Sequence, residues 1–490
     1  MAPRFAPSGS SARAGIRIER PLRLCPLIAL LLLSLAAGGC ASYSRQAGNL
    51  SNAWESANLE RATRVTSAAA ERRDGTRNEI LWFLEHGAAL RAAGNYEESN
   101  RAFDAAEERI NRHEERARFR VGIEAAAAVT NLNALPYDAY AYDKVMMNTY
   151  KALNYLQLGD PDRARVEINR AYYRQRDAVR RNARRIEQAR NEARDQTRDD
   201  NFDFDRAQRD DRFRSQFDRS YAHLENLTYY ADYVNPFSVY LEALYFMADP
   251  WSVATDLERA RVSFERVGGM VAANNYVRED IQLINDLLRG GRLPPTTYVI
   301  FETGRAPVRE EVRIDIALWG LSRTVPYIGA AFPNLRFQGR HDSHLTVLTA
   351  HENYRTERLA SMDSIIAQEF RNEMPVVIAK TLIATATKAT AQYAATEATR
   401  DSGIIGALVQ IGGIIYQIAM NQADLRTWQT LPKEFQIARF PTPEDRSVTL
   451  STPTSPRNIE VEIGDGTVNV IHVKSISRGT PLIVNQFKLQ

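Results

Sequence analysis

The stretch Phe83-Leu84-Glu85-His86-Gly87-Ala88-Ala89-Leu90-Arg91-Ala92-Ala93-Gly94-Asn95-Tyr96-Glu97-Glu98-Ser99-Asn100-Arg101-Ala102-Phe103-Asp104-Ala105-Ala106 reads as two helices joined by a turn at Gly94-Asn95. Phe83, Gly87 and Leu90 on the first helix, then Tyr96, Ser99, Phe103 and Ala106 on the second, follow the order of a tetratricopeptide repeat. In such a unit small residues let paired helices approach, and aromatic or branched residues fill the gap between them. A second copy runs through Tyr155, Gly159, Asp160, Ala164, Ile168 and Ala171. Its turn glycine follows Gly94 by nearly two repeats of about 34 residues. A third, looser copy joins Tyr245 to Ala260, Phe264 and Val267, with Pro250 and Trp251 inserted at its turn.

Around these copies, residues 49–288 read as helical, with apolar side chains at three- and four-residue spacing and few prolines. Between about 160 and 227 the chain is dense in Arg, Asp, Glu and Gln, including Arg180-Arg181-Asn182-Ala183-Arg184-Arg185. Alternating signs there suit a long solvated helix supported by i,i+4 ion pairs. After Gly290-Gly291-Arg292-Leu293-Pro294-Pro295 the period changes from helix to strand. Tyr298-Val299-Ile300-Phe301 suits a buried strand, and Val312, Ile314, Ile316 and Leu318 alternate as a half-buried one does. Ile459, Val461 and Ile463, then Gly464-Asp465-Gly466, then Val468 and Val470 predict a hairpin.

Within this β-rich part, Met362, Ile366 and Phe370 suit a helix, Pro375 can open another that runs to Asp401-Ser402-Gly403, and residues 404–420 form a further uncharged apolar helix. Gln410, Gln417 and Asn421 make one polar stripe along that last helix, which favours a hairpin buried against the sheet over membrane insertion. The expected fold is therefore multidomain α + β. Residues 1–39 form a signal peptide, 40–290 a TPR-like α-solenoid carrying the charged segment, and 291–490 a β-rich, sandwich-like domain with an apolar helical hairpin inserted at about 359–422.

The N-terminal assignment rests on Arg13, Arg17, Arg20 and Arg23, the apolar run at 26–35, and Leu35-Ala36-Ala37-Gly38-Gly39-Cys40. This is the pattern of a bacterial lipoprotein signal, whose Cys40 becomes the acylated first residue. Its apolar run is too short to span a bilayer. Fatty chains such as palmitate on Cys40 give a firm membrane anchor when there are two or more. Ala41 in place of Asp suggests the outer membrane. Of two cysteines, Cys25 leaves with the signal and Cys40 carries lipid, so no thiol remains for a disulfide. The chain has 490 residues, 44% of them hydrophobic, and 63 basic against 60 acidic side chains. That near balance argues against nucleic acid as a partner.

Catalytic and metal motifs are weak. His341-x2-His344-x6-His351 lacks a completing ligand, and no metal is assigned to it. Asp199, Asn201, Asp203, Asp205 and Asp210 imitate a calcium loop, but Phe204 stands where that loop needs glycine. No phosphate-cradling glycine loop, Gly-x-Ser-x-Gly elbow or His-Glu-x-x-His occurs. Glu302, Glu310, Glu311 and Asp315 offer a carboxylate pair for glycan cleavage, yet they are read as lining the wet face of two strands. The reading is non-enzymatic, with no cofactor. Tyr96 and Tyr155 read as core. Tyr137, Tyr140 and Tyr142 are the candidate partner-binding residues, because tyrosine combines large contact area with a polar tip.

Three motifs carry a resemblance: Tyr150-Lys151-Ala152-Leu153-Asn154-Tyr155-Leu156; Phe301-Glu302-Thr303-Gly304-x-Ala306-Pro307-Val308-Arg309-Glu310-Glu311; and Ala423-Asp424-Leu425-Arg426-Thr427-Trp428-x2-Leu431-Pro432. With them the chain resembles a family of functionally uncharacterised Gram-negative lipoproteins with a TPR-like N-terminal half. The resemblance implies an outer-membrane-anchored protein facing the periplasm, and it carries no catalytic residue. The expected function is a lipid-anchored scaffold that binds a cell-envelope protein, with a peptidoglycan synthase or its activator ranked first. The alternatives are a glycan-acting or glycan-binding envelope protein, or a component of a polysaccharide or protein export machine.

Overall fold

A computed structural model describes residues 43–119, 136–198, 204–231, 233–249, 253–317, 327–398 and 422–490. The signal segment, Cys40, Asp199, Asn201, Asp203 and the apolar stretch 404–420 lie outside the described residues. Residues 1–45 and 46–490 are two compact units; in the first, residues 43–45 are helical. The second is mixed α/β, with helices in its N-terminal half and β-sheets in its C-terminal half.

Its helices include α1 (Leu59–Arg73), α2 (Glu79–Ala92), α3 (Tyr96–Phe119), α4 (Ala141–Gln157), α5 (Pro161–Arg198), α6 (Phe204–Arg209), α7 (Asp211–Tyr221), α8 (Pro236–Ala248), α9 (Ala254–Met270) and α10 (Asn275–Leu288). The pairs α2–α3 and α4–α5 close with the same turn chemistry. Gly94 and Gly159 both take positive φ, at 81° and 72°. In each turn the residue after the glycine donates to a carbonyl in the last helical turn, Asn95 to Leu90 and Asp160 to Tyr155, both at 2.9 Å. Glycine reaches that left-handed conformation without the steric cost other residues bear. At Gly87 the requirement is space instead, since a β-carbon there would stand 2.5 Å from the Phe103 ring. Asn154 ties the two pairs together, donating to Ser99 and Asn100 at 2.9 Å each and accepting from Arg91 at 2.7 Å.

The charged segment includes a single 38-residue helix, α5. Its first turns bury Ala164, Ile168 and Ala171. Its arginines pair within the helix and across to α3, as Arg181 does with Glu114 at 2.5 Å. Asp210, which the sequence sets in a calcium-like run, caps α7 by accepting from the backbone N–H of Arg212 and Phe213.

The strands are β1 (Thr296–Thr303), β2 (Val308–Ala317), β3 (Tyr327–Arg336), β4 (Thr346–Leu348), β5 (Asn353–Arg355), β6 (Glu357–Ser361), β7 (Glu434–Pro441), β8 (Ser447–Ser451), β9 (Ile459–Glu462), β10 (Val468–Ser475) and β11 (Ile483–Lys488). Among the described residues they form a sheet in the order β11-β10-β1-β7-β6, a β2-β3 ribbon, and a sheet in the order β5-β4-β8-β9. β1 runs parallel to β10 and antiparallel to β7. Period-two alternation gives β1 two buried faces. Val299 and Phe301 join Ile471, Phe440, Val347 and Leu450 in a core shared with the β5-β4-β8-β9 sheet. On the opposite face Tyr298 reaches Asp280 of α10, Phe435 stacks on Phe237 of α8 at 3.9 Å, and Glu302 meets α4. The passage from helix to strand near residue 290 is thus a change of element within one compact unit.

Two local expectations are corrected. Gly464-Asp465-Gly466 does not close a hairpin: β9 pairs with β8 while β10 pairs with β1 and β11. β10 is buried along its whole length and takes an interior place, whereas β9 alternates as an edge does. Pro375 does not open a second helix but lies inside α11 (Met362–Ala398).

Candidate functional site

The three sequence motifs converge where the helical half meets the first sheet. Tyr150 of α4 donates to Glu302 at 3.1 Å, and its ring sits edge-on to Trp428 with centroids 6.1 Å apart. Parallel register sets Lys474 opposite Glu302 and His472 opposite Ile300. The Lys474 ammonium and the His472 Nε2 therefore reach the Glu302 carboxylate at 2.6 and 2.8 Å. Burial alone would raise the Glu302 pKa, but these two neighbours hold it well below the usual carboxylate range. Burial pushes the His472 pKa down, and its Nε2 lies 2.8 Å from Glu302 and 3.3 Å from the Arg91 guanidinium. Glu302 is fully buried, which corrects its expected place on a wet strand face. The space beside the cluster is about 10 Å³, at the limit for one water. These residues fasten the two halves and leave no seat for a ligand. Lys151 does the same among helices, ringed by Asp104, Glu107 and Glu167 at 2.8 to 2.9 Å.

A separate cavity of about 160 Å³ is lined from α3, the start of α4, α5, β2, β3, α11 and the segment at 422–428. Tyr140 stands at the N-terminus of α4, stacked on Tyr142 at 5.4 Å and edge-on to Tyr137 at 5.8 Å. The Arg309 guanidinium lies 4.2 Å from the Tyr140 ring centre. Arg426 is held by Asp424 at 2.6 and 2.8 Å and by Asn78 at 3.1 Å. Glu373 of α11 approaches Arg185 at 3.3 Å and Arg309 at 3.7 Å.

Two buried acids at the start of α4 hold protons near neutral pH. Glu369, one turn before Glu373, accepts from the N–H groups of Ala141 and Tyr142 at 2.6 and 2.9 Å. Burial and the neighbouring Glu373 still push it up to about 8. Asp143 is pushed up to about 7 by burial although Tyr137 donates to it. Arginine in this wall makes a place where an anion exchanges water for charge-assisted hydrogen bonds. Among the described lining residues none is a nucleophile paired with its own base.

Of the three candidate tyrosines, Tyr137 and Tyr142 are buried and only half-buried Tyr140 lines the cavity. Truncating all three together removes packing as well as contact surface. Arg309, Asp424 and Arg426 stood in the sequence motifs without a role, and Arg185, Glu369 and Glu373 were missed. Two acids four residues apart on an otherwise apolar helix face were the available signal. The histidine cluster does not assemble: His344 lies against Arg355 and His341 against the Gly339 carbonyl. Among the described residues no group of three or more His, Cys, Asp or Glu can hold a metal ion, and no helix is long and apolar enough to cross a membrane. Glu310 and Glu311 pair with Arg336 and Arg313, and Asp315 with Arg212. Comparison of the chain with known protein families, with curated proteins and with solved structures finds no match.

Proposed function

We propose that this protein is a lipid-tethered scaffold, anchored through Cys40 to the outer membrane and facing the periplasm, that binds another cell-envelope protein at the cavity beside Tyr140. Its helical half is read as a TPR-like array and its two larger sheets as a sandwich-like layer. The observation that carries the reading is the cavity itself. Tyr140, Arg185, Arg309, Glu373 and Arg426 come from separate segments of the chain, and folding brings them to one opening. A repeat array ordinarily offers its concave face to partners, but here a face of the helices packs on the chain's own sheet. Partner contact therefore shifts to the seam. A peptidoglycan synthase or its activator ranks first among partners.

The test is site-specific photocrosslinking in intact envelopes, with a photoreactive phenylalanine analogue at position 140 and, as control, at exposed Val262 on α9. One envelope protein captured from position 140 and not from 262 is expected. Equal yields at both positions, from folded and abundant protein, refute the reading.

Glycan binding has its own supporting observation. An open cleft of about 550 Å³ is lined by Tyr276, Tyr354, Glu279, Glu352 and Arg439, and tyrosine rings beside carboxylates suit the apolar faces and hydroxyls of sugars. Retention on purified peptidoglycan that is lost with Tyr276→Ala and Tyr354→Ala together supports it.

A further inference from the structure

Arg309 is a buried cation whose donors are poorly matched. Its side chain is 3% exposed, the Glu373 carboxylate stands at 3.7 Å, and among the described residues its Nε has no acceptor. Arg426 in the same wall is filled by Asp424 and Asn78, so the unfilled state belongs to Arg309 and not to the cavity as a whole. Buried guanidinium groups are ordinarily satisfied, because a donor left without an acceptor in a low-dielectric site is costly. The rings of Tyr140 and Phe370, with centres 4.2 and 5.5 Å from the guanidinium carbon, restrict its orientation.

Charge and size narrow what completes it. Among the described lining residues Arg185, Arg309, Lys380 and Arg426 face Asp138, Glu373 and Asp424, which leaves one positive charge uncompensated. A monoanion closes that balance and a phosphate dianion overshoots it. The fork of a guanidinium matches the two coplanar oxygens of a carboxylate. A volume of about 160 Å³ holds one small residue, well below the room a drug-sized ligand takes. We propose that this cavity seats the free carboxylate end of a peptide chain on Arg309. The inference rests on the reading of the cavity as the partner's seat and names the chemistry recognised there.

The experiment uses the full chain in detergent, titrated at constant pH and ionic strength and followed by ligand-observed NMR. The probes are N-acetyl-L-alanine, N-acetyl-D-alanine, N-acetyl-L-alaninamide and inorganic phosphate. Saturable binding of an acid, with the amide silent and phosphate weaker, is expected. Preference for the L acid points to a protein C-terminus and preference for the D acid to a cell-wall peptide, and either supports the carboxylate seat. Arg309→Lys keeps the charge, loses the fork, and should weaken acid binding about tenfold. Glu373→Gln removes a competing carboxylate and should strengthen it, which keeps a test in hand where Arg309→Lys fails to fold. Equal binding of acid and amide, phosphate binding as tightly as acid, no acid binding, or unchanged affinity in folded Arg309→Lys overturns the proposal. Crosslinking at Tyr140 that survives with no acid binding overturns this inference alone. Acid binding without specific crosslinking overturns the partner reading alone.

Discussion

Glu302 shows how a single side chain can join two halves of a molecule. Two charges must lose their water for this contact, and the exchange is favourable only because Lys474, His472 and Tyr150 all reach the carboxylate. Replacing it by Gln leaves Lys474 buried without its counter-charge. Glu302→Gln is therefore expected to lower stability by about 3–5 kcal/mol, the usual loss when one partner of a buried pair is removed. Adding Lys474→Met should restore part of that loss, since the pair then disappears together. Urea denaturation of both variants measures this, and a double variant no more stable than the single one rules the pairing out as the cause. Neither partner's role was legible in the sequence. The apolar run 298–301 read as a buried strand and Glu302 as part of a wet face, and neither reading says that helices cover the face on which Glu302 lies.

At the scale of elements, the helix pair α2–α3 depends on the missing side chain of Gly87. Alanine there gains about 1 kcal/mol of helix propensity, but its β-carbon meets the Phe103 ring at 2.5 Å and the ring is fully buried. Overpacking of this kind costs about 1–3 kcal/mol. Gly87→Ala is expected to be net destabilising, whereas Gly269→Ala on α9, where a β-carbon meets nothing within 4 Å, should stabilise by about 0.5–1 kcal/mol. Opposite shifts in melting temperature check the pair. Here the sequence was informative, because a helix turn demands specific residues close together in the chain: Gly94, Gly159, Gly87 and Phe103 were all readable. The partner of β10 was not. A glycine-rich turn between two alternating runs fits a hairpin and a crossover between sheets equally well, and only the burial of β10 on both faces separates them. The cavity was legible as motif residues without a meeting point, since Arg309 and Arg426 are brought together by packing and not by spacing.

For the whole molecule, the buried acids set a pH dependence. Glu85 is pushed up to about 7 and Asp280 to about 6, chiefly by burial, and they join Asp143 and Glu369 in holding protons that an unfolded chain releases near pH 4. A folded pKa above the unfolded one means that stability is fully present below the unfolded value and is lost as pH rises through the folded value. Glu302 and Glu107 act in the opposite sense, because their lowered pKa values remove stability as pH falls below the unfolded value. The two sets together place the stability maximum in mild acid, near pH 5, with a decline through pH 6 to 8. Glu369 makes the sign testable. Glu369→Gln imitates the protonated carboxyl and still offers an oxygen to the N–H groups at the start of α4. Wild type and variant should melt alike at pH 5, and the variant should melt several degrees higher at pH 8.5, where the wild-type carboxylate is forced to ionise beside Glu373. Parallel melting curves across that range would show that Glu369 is ionised throughout and that the seam is held by its anion, not its acid.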